Sequence, residues 1–182
     1  MMIHPRLRLK FQNPNLFFIP QESGNIIEKE ARSNRDIIYG ARAMNAQLPL
    51  FMRRETQDYD VYSKKPRATA DRIQRKLDKE VAGGKDDFYM KPALHKGTYK
   101  VMHEGADGKK RTRDDIGIVD YTSMPNQIST VRIEGIRYES IPSIAKRKKE
   151  ILQDPESEYR HEKDRSDLER IKYSRILRGR VF

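Results

Sequence analysis

Apolar and polar positions alternate most clearly between residues 58 and 62. There Tyr59 and Val61 fall on one side, Asp58 and Asp60 on the other, and the breaker run Ser63-Lys64-Lys65-Pro66 follows. Side chains two apart on a strand share a face, so a strand here packs its apolar pair and presents two carboxylates side by side. A helical period marks the next stretch, 65–80, where Ala70, Ile73 and Leu77 form one apolar face among Arg67, Arg72, Arg75, Lys76 and Lys79. Upstream, 21–34 is a predicted helix with Ser23 as its cap and Ile26, Ile27 and Ala31 facing the core. Ile37-Ile38-Tyr39 is a short buried strand, Gly40 a tight turn, and 41–48 a helix that stops near Pro49.

Downstream of 80, Gly83-Gly84 closes the basic helix. Strands are predicted at 87–90, 95–103 and 116–121, the last two joined by a turn around Asp107-Gly108, and a strand pair at 131–140. Two helices end the chain. One spans 143–152 and contains the run Lys146-Arg147-Lys148-Lys149; Asp154-Pro155 breaks it. The other spans 158–177 and is anchored by Leu168, Ile171 and Ile176, with its charges on a solvated face. Residues 1–20 are expected to form an arm or an edge strand. The resulting class is α/β (α+β), a mixed sheet packed against helices. Its expected organisation is an arm over 1–20, a core over 21–140 and a basic helical extension over 141–182 that packs on the core.

Composition narrows the chemistry. In 182 residues the apolar and charged fractions are equal at 36%, so the core is modest and the surface densely charged. A net charge of +11 draws the chain toward polyanions such as nucleic acid and nucleotides. No cysteine is present, which excludes disulfides, thiolate catalysis and zinc–cysteine sites. No apolar run approaches membrane-spanning length, and the expected location is the cytoplasm, away from membranes. His4, His95, His103 and His161 include no metal-spaced pair on one helix, and no Gly-Lys-Ser/Thr loop is present.

The carboxylates carry the candidate chemistry. Asp58 and Asp60 repel unless a cation lies between them, and hard oxygen donors at this spacing suit Mg²⁺. Asp120, in the apolar setting of Ile118, Val119 and Tyr121, needs a partner or a metal. A strand, a glycine turn and a helix N-terminus at 37–48 make an anion seat from free main-chain N–H groups.

Taken in order, Gly40-Ala41, Arg54-x-Thr56-x-Asp58-Tyr59-Asp60-Val61 and Asp120 resemble the nucleotidyltransferase fold of the polymerase-β superfamily. The tail Arg160-x-x-Lys163-Asp164-x-x-Asp167-Leu168 is similar to that of its small, toxin-like members. One departure is Ala41, where the family prefers Gly or Ser; a hydroxyl is lost and the main-chain N–H kept.

The resemblance implies a transfer of NMP from an NTP, ATP among them, to an acceptor hydroxyl, with an RNA or tRNA end as the expected acceptor. Asp58, Asp60 and Asp120 would hold two Mg²⁺ ions. Gly40 and Ala41, with Arg42, Arg54, Thr56, Lys100 and Lys163, would contact the nucleotide. A protein partner chain is a further expectation, and a non-catalytic nucleic-acid- or protein-binding module on the same fold is the alternative.

Overall fold

The computed structural model describes residues 21–179, so the arm or edge strand expected over 1–20 lies outside the described residues. Seven strands form one mixed sheet: β1 (Ile37–Tyr39), β2 (Tyr59–Ser63), β3 (Phe88–Pro92), β4 (Thr98–His103), β5 (Ile116–Ser123), β6 (Thr130–Ile133) and β7 (Ile136–Glu139). Their order is β3-β4-β5-β2-β1-β7-β6. Two pairings, β2 with β5 and β1 with β7, are parallel, and the rest are antiparallel. The helices are α1 (Gln21–Asn34), α2 (Gly40–Gln47), α3 (Pro66–Glu80), α4 (Ile141–Ile151) and α5 (His161–Gly179).

The apolar side chains of the central strands explain the layering. Tyr59 and Val61 of β2, Val101 of β4, and Val119 and Tyr121 of β5 are buried with Ile73 and Leu77 of α3 and Ile27 and Ala31 of α1. This core holds α3 against β3, β4 and β5, and α1 against α3 and β7. Pro66 opens α3, where its missing N–H leaves no helix bond unmade. Ser23 does not cap α1: it lies inside the helix, fully buried, and its hydroxyl has no hydrogen-bond partner among the described residues. Helix formation from Gln21 onward places it on the core-facing side, three and four residues before Ile26 and Ile27.

The connection from β4 to β5 is longer than the turn expected at Asp107-Gly108. Asp114 pins it by accepting the N–H groups of Ala106 (2.8 Å) and Asp107 (2.9 Å). Asp120 falls in mid-strand in β5.

Helices α4 and α5 pack on each other, and α4 also on α2. Their seating differs from the sequence expectation. On α5 the buried side chains are Asp164, Asp167, Ile171 and Ser174, spaced 3-4-3 along one face; Leu168 is half-buried and Ile176 and Leu177 are exposed. On α4, Lys148 is buried one turn after Ile144. The basic run 146–149 is thus not a uniformly solvated face. Lys148 bridges Asp164 and Asp167 (2.9 Å to the latter), Arg54 joins Asp167 at 2.9 Å, and Arg160 joins Asp164 at 3.0 Å. Arg147 pairs with buried Glu139 at 2.8 Å. A charge that leaves water is stable only with opposite charge beside it, and here Asp164 and Asp167 each have two cationic partners and Glu139 has Arg147.

Candidate active site

One row of residues crosses the middle of the sheet. Tyr39 of β1 stands opposite Asp60 of β2, Asp60 opposite Asp120 of β5, and Asp120 opposite Lys100 of β4. Residues in register on adjacent strands point to the same face, away from the Tyr59–Val61 core. They form the floor of a cleft of about 430 Å³, walled by Gly40 and Ala41, by Arg54, Thr56 and Asp58 before β2, and by Arg160 and Lys163. Asp58 precedes β2 rather than lying in it, and its carboxylate shares the cleft with the other two.

The electrostatics follow from this crowding. Burial first, then the charges of Asp58 and Asp120, push the Asp60 carboxyl up to about 6, against the opposing pull of Arg147 and Lys163. Asp120 is also raised, chiefly by burial, although Lys100 counters by donating to its Oδ2 at 2.6 Å. The other oxygen of Asp120, Oδ1, is buried and has no hydrogen-bond partner among the described residues. Tyr39 donates or accepts at the Thr122 hydroxyl (3.0 Å), and Thr122 is joined to Thr98 (3.1 Å), so a line of hydroxyls borders the acids.

A resident cation has the right donors here. Mg²⁺ takes hard oxygen ligands, one or two carboxylates among them, and completes its shell with water and substrate phosphate. The unpartnered Asp120 Oδ1 and the raised Asp60 carboxyl both mark negative charge that an ion would compensate. Among the described residues no three acidic or histidine side chains are grouped closely enough to hold an ion by themselves. Lys100 occupies one side of Asp120, so an ion in the cleft would meet Asp58, Asp60 and the free oxygen of Asp120.

Gly40 is placed by two separate demands. Its φ is +68°, and a Cβ there would fall on Oδ2 of Asp60. It opens α2 with no side-chain cap and no acid in the first turn, leaving the helix's first N–H groups for a ligand in the cleft. Gly83 has nearly the same φ, +67°, with nothing near its missing Cβ. Substituting Ala at each position is expected to cost roughly 1–2 kcal/mol in urea unfolding from the left-handed backbone alone. Gly40→Ala should exceed Gly83→Ala, because only at 40 must an Asp60 carboxylate also move. Equal losses would remove Gly40 from the support of Asp60.

Not all expected contacts reach the cleft. Gly40, Ala41, Arg54, Thr56, Lys100 and Lys163 line it, whereas Arg42 does not. Arg42 lies over the Tyr59 ring, 3.6 Å from its centroid, and donates to the Asp58 carbonyl at 2.9 Å. It braces the segment that carries Asp58. Arg54 lines the wall with its guanidinium already committed to Asp167. Tyr39, Thr98, Thr122, Arg147 and Lys148 belong to the cleft and were not among the expected site residues, and Arg160, quoted only in the tail motif, lines it too. Lys148 had a legible signal, its helical spacing of four from Ile144; Thr98 and Thr122 had none, because cross-strand register is invisible in a single chain.

The whole architecture has solved counterparts. The Megavirus polyadenylate synthase overlays with a TM-score of 0.65 at 20% identity, over 85% of this chain and 31% of that one. JHP933 from Helicobacter pylori overlays with a TM-score of 0.50 at 15% identity, over 81% of this chain and 62% of that one. The fold is that of the nucleotidyltransferases. This chain spans about a third of the polyadenylate synthase and less than two thirds of JHP933. No family model and no curated relative matches its sequence. In this nucleotidyltransferase fold, the acidic row and the glycine turn share one face of the sheet. Among the described residues no helix is long and apolar enough to cross a membrane.

Proposed function

We propose that the protein is a Mg²⁺-dependent nucleotidyltransferase that moves NMP from an NTP to the hydroxyl of an RNA or tRNA end. The observation that carries this reading is the register pair Asp60–Asp120 facing the uncapped start of α2 across one cleft. Supporting it are the likeness in fold to a polyadenylate synthase and the net charge of +11.

The roles follow from position. The main-chain N–H groups at Gly40 and Ala41 seat phosphate, with Thr56 beside them. Lys163 and Arg160 add positive charge at the wall, where charge spreads over the transferring phosphoryl group. Lys100 holds Oδ2 of Asp120 and counters the burial that raises its carboxyl. Arg42 holds the main chain at Asp58. Bound Mg²⁺ at Asp58, Asp60 and Asp120 would lower the pKa of the attacking hydroxyl and neutralise the triphosphate. Positioning then supplies the remaining rate, since the attacking hydroxyl belongs to the acceptor.

The test is incorporation of label from each α-labelled NTP into total RNA with Mg²⁺. Label is expected with the natural chain and not with Asp58→Ala or Asp120→Ala. Equal labelling by all three would overturn the proposal.

A further inference from the structure

An acceptor strand whose end enters the cleft must continue somewhere, and a second groove of about 690 Å³ opens on the opposite face of the same end of the sheet. Thr98 and Thr122 belong to the cleft, while their chain neighbours Gly97, Tyr99 and Ser123 line the groove. Alternation along β4 and β5 sends consecutive residues to opposite faces, so the two spaces meet over a single rim. At that rim the Ser123 N–H donates to the Gly97 carbonyl at 3.2 Å, and the Ser123 hydroxyl donates to it at 3.3 Å.

We propose that this groove binds single-stranded RNA and holds the acceptor behind its reacting end. The inference rests on the nucleotidyltransferase reading for what lies in the cleft, but it makes its own prediction about the groove. Three features fit such a strand. Lys65 and Arg67, at the start of α3, are exposed, and neither is in an ion pair among the described residues. The acid lining the groove, Asp71, is already bound to Arg75 at 2.8 Å. Between them Met90 and the half-buried ring of Tyr99 provide an apolar wall on which a base can lie. Cations that follow a backbone beside an aromatic stacking surface are the pattern of single-strand binding without strong sequence preference. An acidic protein segment would use the cations but leave the Tyr99–Met90 wall without a planar partner.

The experiment measures binding of fluorescein-labelled single-stranded RNA of about 12 nucleotides by anisotropy, without NTP, over a series of salt concentrations. Lys65→Glu/Arg67→Glu is expected to weaken binding at least about tenfold at low salt and to reduce the log–log salt slope by about 1–2. Lys79→Glu/Lys85→Glu makes the same charge change at the far end of α3 and should weaken binding less than about threefold. Tyr99→Leu keeps bulk without a stacking face and should also weaken binding severalfold. Equal weakening by the two charge-reversed pairs, or polyglutamate competing as well as unlabelled RNA, would overturn the proposal. Thermal stabilisation by Mg²⁺ and NTP should be unchanged in the groove variants. If that stabilisation and RNA labelling are absent from the natural chain while RNA binding still depends on Lys65 and Arg67, the catalytic reading falls and the groove stands. If labelling holds and RNA binding ignores these residues, the reverse is true.

Discussion

Asp60→Asn is expected to abolish nucleotidyl transfer and at the same time to make the protein more stable. The activity loss should be at least about 10²–10³-fold, the scale on which a single charged group aimed at a reacting phosphoryl is worth. The gain in stability comes from the same crowding that suits the residue to its proposed role. Burial and two neighbouring carboxylates raise the Asp60 carboxyl from 3.8 to about 6. A carboxyl raised on folding imposes no penalty below its unfolded value, and the penalty grows as pH climbs from about 4 through 6. Above that range it amounts to on the order of 2–3 kcal/mol. Asparagine cannot ionise, so the difference in Tm between Asp60→Asn and the natural chain should be near zero at pH 4 and favour the variant at pH 7. Adding Mg²⁺ and NTP should reverse the order, because ligand bound to the folded state stabilises only the chain that binds it. Thermal unfolding at pH 4, 6 and 7, with and without Mg²⁺ and NTP, checks each part. A variant no more stable than the natural chain at pH 7 without metal would mean that the three carboxylates do not press on one another.

The contrast between what the chain announces and what it conceals has a physical basis. The strand 59–63, the basic helix after it and the glycine turn at 40 are encoded by local signals: alternation, a 3.6-residue period, and a residue free of Cβ. Those signals also placed Asp58 and Asp60 on the face opposite Tyr59 and Val61. That Asp60 lies beside Asp120 and not beside Thr122 is a matter of register across a parallel pairing, fixed by distant packing. The resemblance to a known fold supplied that neighbour; periodicity could not have done so. Lys100 is a similar case. It was expected at the nucleotide and is found at Asp120, because only the β4–β5 pairing sets the two in one row. The last helix was misjudged for another reason. Its charges were assigned to solvent by type, whereas Asp164 and Asp167 occupy buried positions that their helical spacing from Ile171 already marked, and Lys148 of α4 is buried with them one turn after Ile144. Polarity predicts exposure only when no opposite charge shares the interior.

That buried set leads to the second large effect, at Lys148. Its ammonium is the common partner of Asp164 and Asp167, and all three are withdrawn from water. Lys148→Met keeps most of the volume and leaves two buried carboxylates facing each other, with only Arg160 and Arg54 at their outer sides. Breaking one side of a buried ion pair typically costs 3–5 kcal/mol, and urea unfolding is expected to show a loss of about that size. Arg160→Met removes a cation that is one third exposed and should cost about 1 kcal/mol or less. Acid should narrow the gap between Lys148→Met and the natural chain. Burial alone would raise the Asp167 carboxyl, but the hydrogen bond and charge of Lys148, followed by Arg54, outweigh it and hold Asp167 below its ordinary value. The stability this contributes is present above that ordinary value, near 3.8, and disappears as pH falls through the lower folded one. In the variant, protonation instead relieves the unpaired charge, so the two curves approach each other from both sides. The consequence reaches the cleft. Lys163 and Arg160 line it from the segment that these acids anchor, so loosening α5 withdraws their charge from the nucleotide. Lys148→Met should therefore raise the KM for NTP at temperatures well below its Tm. A Lys148→Met/Asp164→Leu/Asp167→Leu chain, which removes charge on both sides, should recover stability but not KM. Recovery of both would show that the ions only fill space; recovery of neither would show that the seat needs their geometry and not merely their balance.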